Sequence, residues 1–318
     1  MQLWKLRLSM LGTIVLIIGI TTLILSFILS LLGAFNILTL ALIIIPFNLL
    51  QWLFAPYMID AIYRVKEVSP EEHPHLHSIV ERLSLKSGIK KPKVMIAKIP
   101  IPNAFAYGSP ITGSRVAVTQ ELLRTLEMEE VEAVLGHEIG HLKHKDVQIM
   151  MFASILPAIF YYLGWSFLWM PRYSREREGS PALIGLASIA VYWILSLLSL
   201  HLSRLREYYA DSHSVSVVED GARKLSEALA KIVMYTNRLK RSGLRTEGLS
   251  SFKALFISDP DRAGEDAIAM AKERMHTPDY VLVQEIISRP ITWTEKIMEI
   301  FSTHPNIVKR LRALQGMS

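Results

Sequence analysis

The 318-residue chain has no cysteine. Disulfides and thiolate metal sites are therefore excluded, and any metal ion must be held by His, Asp or Glu. Charge is missing from four long stretches, 11–32, 37–55, 147–170 and 182–202, where His201 is the one side chain able to take a charge near neutral pH. No basic stripe is interleaved with aromatic residues, which argues against nucleic acid as a partner. There is no internal repeat and no low-complexity segment.

What remains is strongly apolar. Half of the residues are hydrophobic (51%), the net charge is +6 and the mean hydropathy is +0.29. The excess of apolar residues is clustered, which points to a membrane protein, and the positive balance suits anionic lipid headgroups. The runs 11–32 and 37–55, separated by Gly33-Ala34-Phe35-Asn36, are each about 20 residues long. A helix of that length crosses a hydrocarbon core of roughly 30 Å. They read as a helical hairpin; a cleaved signal peptide is the weaker reading of the first run. The runs 147–170, with Pro157, and 182–202 read as a second hairpin around the polar, turn-rich segment 171–180. Buried soluble helices are the alternative there. Lys5 and Arg7 before the first span, and Arg64 and Lys66 after the second, place both ends of the first hairpin in the cytoplasm. The three arginines of the 171–181 loop run against that rule.

Between the hairpins the pattern is that of a soluble domain. Leu76, Ile79, Val80 and Leu83 recur at helical spacing, with a start predicted at Ser69-Pro70-Glu71-Glu72 and a stop at Gly88. Strands are predicted at 93–99, 103–107 and 115–119, the last two joined by a turn at 108–114. One or two helices are predicted over Thr119–Asp146, with Glu129, Glu130 and Glu132 near the start of the second. After residue 203 the chain is mostly helical, with a loop-like region around 240–265. The predicted class is α+β and mainly helical. Four transmembrane helices in two hairpins carry a domain with a small β-sheet. The segments are 1–58 and 147–203 for the hairpins, and 59–146 and 204–318 for the two parts of the domain.

Residues 137–141 read His-Glu-Ile-Gly-His. On a helix, positions i and i+4 share a face, so His137 and His141 can reach one ion, and Glu138 stands beside it as a general base. A zinc ion lowers the pKa of bound water from ~15.7 to ~7, within reach of a carboxylate. A catalytic zinc needs a third protein ligand and an open position. The His pair ends just before one apolar run, and Glu207 follows the next. A chain that crosses the membrane and returns brings both to the same face. Asp211, four residues on, can accept the free ring N–H of a ligand histidine.

These residues resemble a family. His-Glu-Ile-Gly-His, a membrane hairpin, then Ser203-Arg204-Leu205-Arg206-Glu207-Tyr208-Tyr209-Ala210-Asp211 are similar to the HtpX-type membrane zinc peptidases, relatives of the CAAX prenyl proteases. Pro102-Asn103-Ala104-Phe105-Ala106-Tyr107-Gly108 resembles the family's edge-strand motif, and Phe301-Ser302-Thr303-His304-Pro305 its C-terminal motif. The resemblance implies a zinc endopeptidase with one Zn2+ per chain, acting on membrane or misfolded proteins in quality control. It favours Asn103, Ala104, Phe105 and Ala106 as substrate-binding residues, by strand addition to a free edge. His304 is expected at a helix start, with Pro305 as first helical residue, where it polarises the scissile carbonyl, buttresses Glu207 or serves as a simple cap.

Other histidines have plainer readings. His73, His75 and His77 lie around a proline, off one face, as an exposed helix start. His144 is read as a surface or headgroup contact, and His201 and His213 as packing or surface residues. Two other functions compete. A zinc-binding membrane scaffold or transporter without proteolysis lacks support from charges inside the spans. An intramembrane protease is disfavoured by Lys143 and Lys145 beside the His pair. Peptide or membrane-protein substrate and the lipid bilayer are the expected partners, at the cell membrane with the catalytic domain cytoplasmic. Oligomeric state is open.

Overall fold

A computed structural model of the protein describes residues 37–168, 181–241 and 279–317. The predicted span 11–32 and most of the 171–181 and 240–265 segments lie outside them. The second predicted span falls in helix α1 (Ile37–Tyr63), which runs beyond residue 55 and carries Pro46 and Pro56.

Helix α2 (Pro74–Ser87) ends as predicted at Gly88, in the left-handed conformation at φ +66°. It starts four residues later than Pro70 suggested, because Ser69 and Glu72 close a turn of their own: each backbone N–H donates to the other's side chain, at 2.9 and 3.3 Å. The sheet has four strands, β1 (Lys66–Glu67), β2 (Lys93–Ala97), β3 (Ala104–Ser109) and β4 (Gly113–Thr119), in the order β1-β2-β4-β3. The two-residue β1 is too short to leave a periodic signal. Strand β4 is parallel to β2, with Met95 opposite Ala117, and antiparallel to β3, with Ala106 opposite Val116. Gly108, at φ +154°, makes the β3–β4 turn possible: a Cβ there would meet the Gly113 carbonyl oxygen at 2.3 Å.

Alternation along the strands feeds two cores. Val94, Ile96, Ala104, Val116 and Val118 pack with α2 and with helices α4 (Met128–Lys143) and α7 (Gly221–Arg241). Met95, Ala97, Phe105, Tyr107 and Ala117 face the other way, against Ile59 and Tyr63 of α1. The strand β3 has β4 as its one partner among the described residues, so it forms an edge of the sheet.

A short helix α3 (Gln120–Thr125) precedes α4, which opens on a capping box between Glu127 and Glu130. Helices α5 (Asp146–Leu168) and α6 (Pro181–Val217) are two that are long and apolar enough to cross a membrane. They pack closely where Gly164 and Gly185 meet; a Cβ on Gly164 would approach Ile189 to 2.6 Å. Small residues at such a crossing let backbones approach. Pro157 sits inside α5 without interrupting it. At 37 residues α6 is far longer than a bilayer requires. Its apolar part ends near Leu202, and its last four turns carry Arg204, Arg206, Glu207 and Asp211 beyond it, so the apolar run and the Glu207 segment are one continuous helix. The chain ends with α8 (Asp279–Ser288), α9 (Trp293–Ile300) and α10 (Ile307–Gln315).

Candidate metal centre and active-site cleft

The His-Glu-Ile-Gly-His segment occupies the last turns of α4, on the side turned toward α6. Two glycines set that distance. A Cβ on Gly136 would stand 3.0 Å from the Ser214 Oγ, and one on Gly140 3.1 Å from the His213 Cβ and 3.3 Å from the Ala210 Cα. The helices therefore touch backbone to backbone, and the Ser214 hydroxyl donates to the Ala133 carbonyl across the joint at 2.6 Å. Glu207, one turn before Ala210 on α6, is carried to the two imidazoles.

The geometry of the histidines fixes which ring nitrogen donates. His137 Nδ1 lies 2.9 Å from the Asp211 carboxylate, and His141 Nδ1 lies 2.6 Å from Asp146. A carboxylate only accepts, so each Nδ1 donates and Nε2 is the ring atom left to meet an ion. Those two Nε2 atoms face each other at 3.0 Å. The Glu207 carboxylate oxygens lie 3.6 Å from His137 Nε2 and 3.5 Å from His141 Nε2. Two ring nitrogens and a carboxylate thus converge on one point, as the donor set of a cation site does. The ligand atoms of His137, His141 and Glu207 all lie within 4.8 Å of one another. Two nitrogens and a carboxylate oxygen suit zinc.

Each ligand is held from behind. Arg310 of α10 is 2% exposed and donates to Asp211 through two nitrogens, both at 2.7 Å. Its third nitrogen is 3.1 Å from Glu207. Arg310 Nη2 also stands 3.2 Å from His137 Nδ1, and both nitrogens are turned to the Asp211 carboxylate, at 2.7 and 2.9 Å. His304 Nδ1 stands 3.3 Å from Glu207. Burial raises the Glu207 carboxyl, but His304, Arg310 and His137 outweigh it and hold the group well below the usual carboxylate range. Burial likewise opposes ionisation of Asp211, and Arg310 and His137 overcome it. Behind His141, Asp146 pairs with the buried Arg206, which also donates to the His144 carbonyl at 3.2 Å.

A cavity of about 280 Å³ opens on this centre. Glu138, 4% exposed, lines it beside His137 and His141, and His304 and Thr303 form part of its wall. Phe105 and Ala106 of the edge strand line it as well. Asn103 is buried, and its backbone is paired with Thr119 in both directions, each at 2.9 Å. Asn103 and Ala104 are absent from the cavity lining, so Phe105 and Ala106 are the two of the four predicted residues found there.

Three residues behind the ligands escaped the sequence reading. Asp146 and Arg206 sit at the ends of apolar runs, where they look like ordinary membrane-flanking charges. Arg310 is one of several basic residues in a C-terminal helix. Its helical spacing to Ile307 and Leu314, both buried, was the available hint that it points inward. The position of His304 also differs from expectation: α10 starts at Ile307 with Asn306 as its cap, whose side chain accepts from the Val308 N–H at 2.9 Å. His304 therefore precedes the helix as part of a loop. His144 is partly buried rather than a surface group. Its ring packs on Tyr209 at 4.1 Å and on His213 at 5.4 Å, and burial with nearby positive charge lowers its pKa to about 4. His77 bonds the Val68 carbonyl at 3.0 Å. A second carboxylate group, Glu130, Glu227 and Asp279, has no imidazole, and Lys231 bridges Glu130 and Asp279 at 2.8 and 2.9 Å.

Similarity to known proteins agrees with this geometry. The chain is 37% identical over 280 residues to a protease HtpX homolog of Thermoplasma acidophilum, covering 86% of this chain and 84% of that protein. It is 37% identical over 319 residues to a protease HtpX homolog of Aeropyrum pernix, covering 98% and 96%. A third protease HtpX homolog, of Methanothermobacter thermautotrophicus, is 42% identical over 231 residues, 73% of this chain and 87% of the relative. The fold resembles the crystal structure of S. mikatae Ste24p with a TM-score of 0.53 at 16% identity, covering 98% of this chain and 66% of that one. The sequence also matches the description of peptidase family M48 over residues 70–318, and with that extent of agreement the chain belongs to peptidase family M48.

Proposed function

We propose that the protein is a zinc-dependent endopeptidase of the cell membrane, working at its cytoplasmic face on membrane or misfolded proteins. His137, His141 and Glu207 hold the ion and Glu138 is the general base. The observation that carries this reading is the convergence of the two Nε2 atoms and the Glu207 carboxylate at the head of a cavity lined by Glu138.

When bound, the ion acidifies a water molecule and offers positive charge to a carbonyl oxygen. Glu138 takes the proton of the attacking water and returns it to the leaving amine as the peptide bond breaks. Asp211 and Asp146 keep the two imidazoles in the tautomer that leaves Nε2 free. Arg310 and His304 keep Glu207 ionised and fixed. Phe105 and Ala106 at the sheet edge support docking of an extended peptide along β3. Cytoplasmic placement rests on Lys5, Arg7, Arg64 and Lys66, and membrane attachment on the apolar helices α5 and α6.

The test is metal content by mass spectrometry beside cleavage of an unfolded membrane protein, for the parent chain, His137→Ala, Glu207→Ala and Glu138→Gln. The first two variants are expected to lose both zinc and activity. Glu138→Gln keeps zinc and loses ~10²–10⁴-fold in rate. Unchanged cleavage by Glu138→Gln removes the mechanism, and unchanged metal content in His137→Ala and Glu207→Ala removes the site.

A further inference from the structure

Helix α9 is built inside out for a protein in water. Its acidic residues face the protein. Glu295 and Glu299 are 5% and 7% exposed; Glu295 accepts from the Thr292 N–H at 2.7 Å and from Arg289 at 2.6 Å, and Glu299 accepts from the Asn306 N–H at 3.1 Å and pairs with Lys309. Its apolar residues face outward: Trp293 is 74% exposed, Ile297 41%, Ile300 45%, and Phe301 just after the helix 59%. At 100° per residue those four positions fall on a single arc, opposite the two glutamates. A contiguous outward apolar patch beside buried carboxylates has no rationale against bulk water.

The position of the helix names what covers it. Arg204, two residues beyond the apolar stretch of α6, donates to the Ile300 carbonyl at 3.1 Å and to the Ser302 carbonyl at 2.7 Å. The C-terminal end of α9 is thus tied to the level at which α6 leaves the hydrocarbon. Tryptophan is the residue most at home at that boundary. The exposed Lys296 flanks the apolar arc, suitably placed for anionic headgroups.

We propose that α9 lies in the plane of the membrane surface, with Trp293, Ile297, Ile300 and Phe301 sunk into the lipid beside α6. This rests on the membrane placement of α6 in the proposed function. The same two arginine bonds lead directly into Ser302-Thr303-His304, the cavity wall whose His304 contacts Glu207. Lipid therefore holds in register a loop that supports the metal ligand.

The absence of native cysteine allows a direct measurement. A single cysteine at Ile297, or at Ile300 as a second reporter on the same face, is labelled with a nitrobenzoxadiazole fluorophore. Ile194→Cys, exposed in the middle of the apolar part of α6, and Leu85→Cys, 76% exposed on α2, serve as references. Each full-length variant is reconstituted in phosphatidylcholine–phosphatidylglycerol vesicles containing lipid with a nitroxide near the headgroup or near the acyl terminus. The labels at 297 and 300 are expected to be quenched at least about twofold more than the label at 85, and more by the shallow nitroxide than by the deep one. The label at 194 favours the deep nitroxide. Quenching at 297 and 300 no greater than at 85 overturns the inference. A dilution series then tells whether a second copy covers the face, and a concentration-independent result points to residues 242–278 or to water. If the label at 194 also escapes both nitroxides, the membrane placement of α6 has failed, and the inference falls with it.

Discussion

Replacing Arg310 by methionine tests how the centre is held when no ion is bound. Methionine keeps most of the side-chain volume and removes the charge. The guanidinium makes two hydrogen bonds to Asp211, both at 2.7 Å, and lies 3.1 Å from Glu207, and all three side chains are buried. Its loss leaves two carboxylates, one turn apart on α6, buried without their common cation. Breaking a buried pair from one side costs about 3–5 kcal/mol. At roughly 2–4 °C per kcal/mol, metal-free Arg310→Met should melt about 6–20 °C below the parent chain. Added zinc should narrow the gap, since a divalent cation among His137, His141 and Glu207 replaces part of the lost positive charge. Arg310→Lys keeps the charge but not the two-pronged contact, and should fall between. Thermal unfolding in detergent, with chelator and with zinc, reads all three. A metal-free Arg310→Met that melts with the parent would show that the carboxylates do not depend on Arg310, and would refute the reasoning.

Asp146→Asn leaves the shape of the site but can present its amide nitrogen to His141 Nδ1; the ring then loses its fixed tautomer, and zinc affinity measured by competition with a chromophoric chelator should fall about 10–100-fold. The stability of the protein should also depend on pH through His144 and His213, whose pKa values burial and neighbouring positive charge lower to about 4. The unfolded chain protonates these rings below about 6.5 and the folded chain only near 4, so stability is full above about 6.5, falls as pH drops through that window and levels off below it. The buried His213 accounts for a loss on the order of 3 kcal/mol, and His144, partly screened by solvent, for less. Chemical denaturation of the parent and of His144→Gln/His213→Gln between those pH values measures it, and an equally steep slope in the double variant would exclude these rings as the cause.

Local chemistry made part of this protein legible in one dimension. The four-residue spacing of His137 and His141 fixes their common face once the segment is helical, and so does that of Glu207 and Asp211. The short apolar runs in residues 93–99 and 115–119 marked strands, and Gly88 marked a helix end. These features depend on residues within a few turns of each other, where the backbone geometry is nearly fixed. The β1 strand and the delayed start of α2 were not legible, because two residues carry no period and the Ser69–Glu72 turn competes with the helix for the same capping groups.

The centre itself combines both kinds of information. The sequence named the two imidazoles, the adjacent glutamate and the candidate third ligand. Only the tertiary structure decided that Arg310, 99 residues after Asp211 and far beyond His141, closes behind them, and that Asp146 and Arg206 orient His141. A buried arginine and a surface arginine have the same letter, and what separates them is the company of distant carboxylates. The close crossing of α4 and α6 was decided in the same way: Gly136 and Gly140 look like helix-weakening residues along the chain, and their reason appears only where Ala210, His213 and Ser214 press against the space a side chain would have filled.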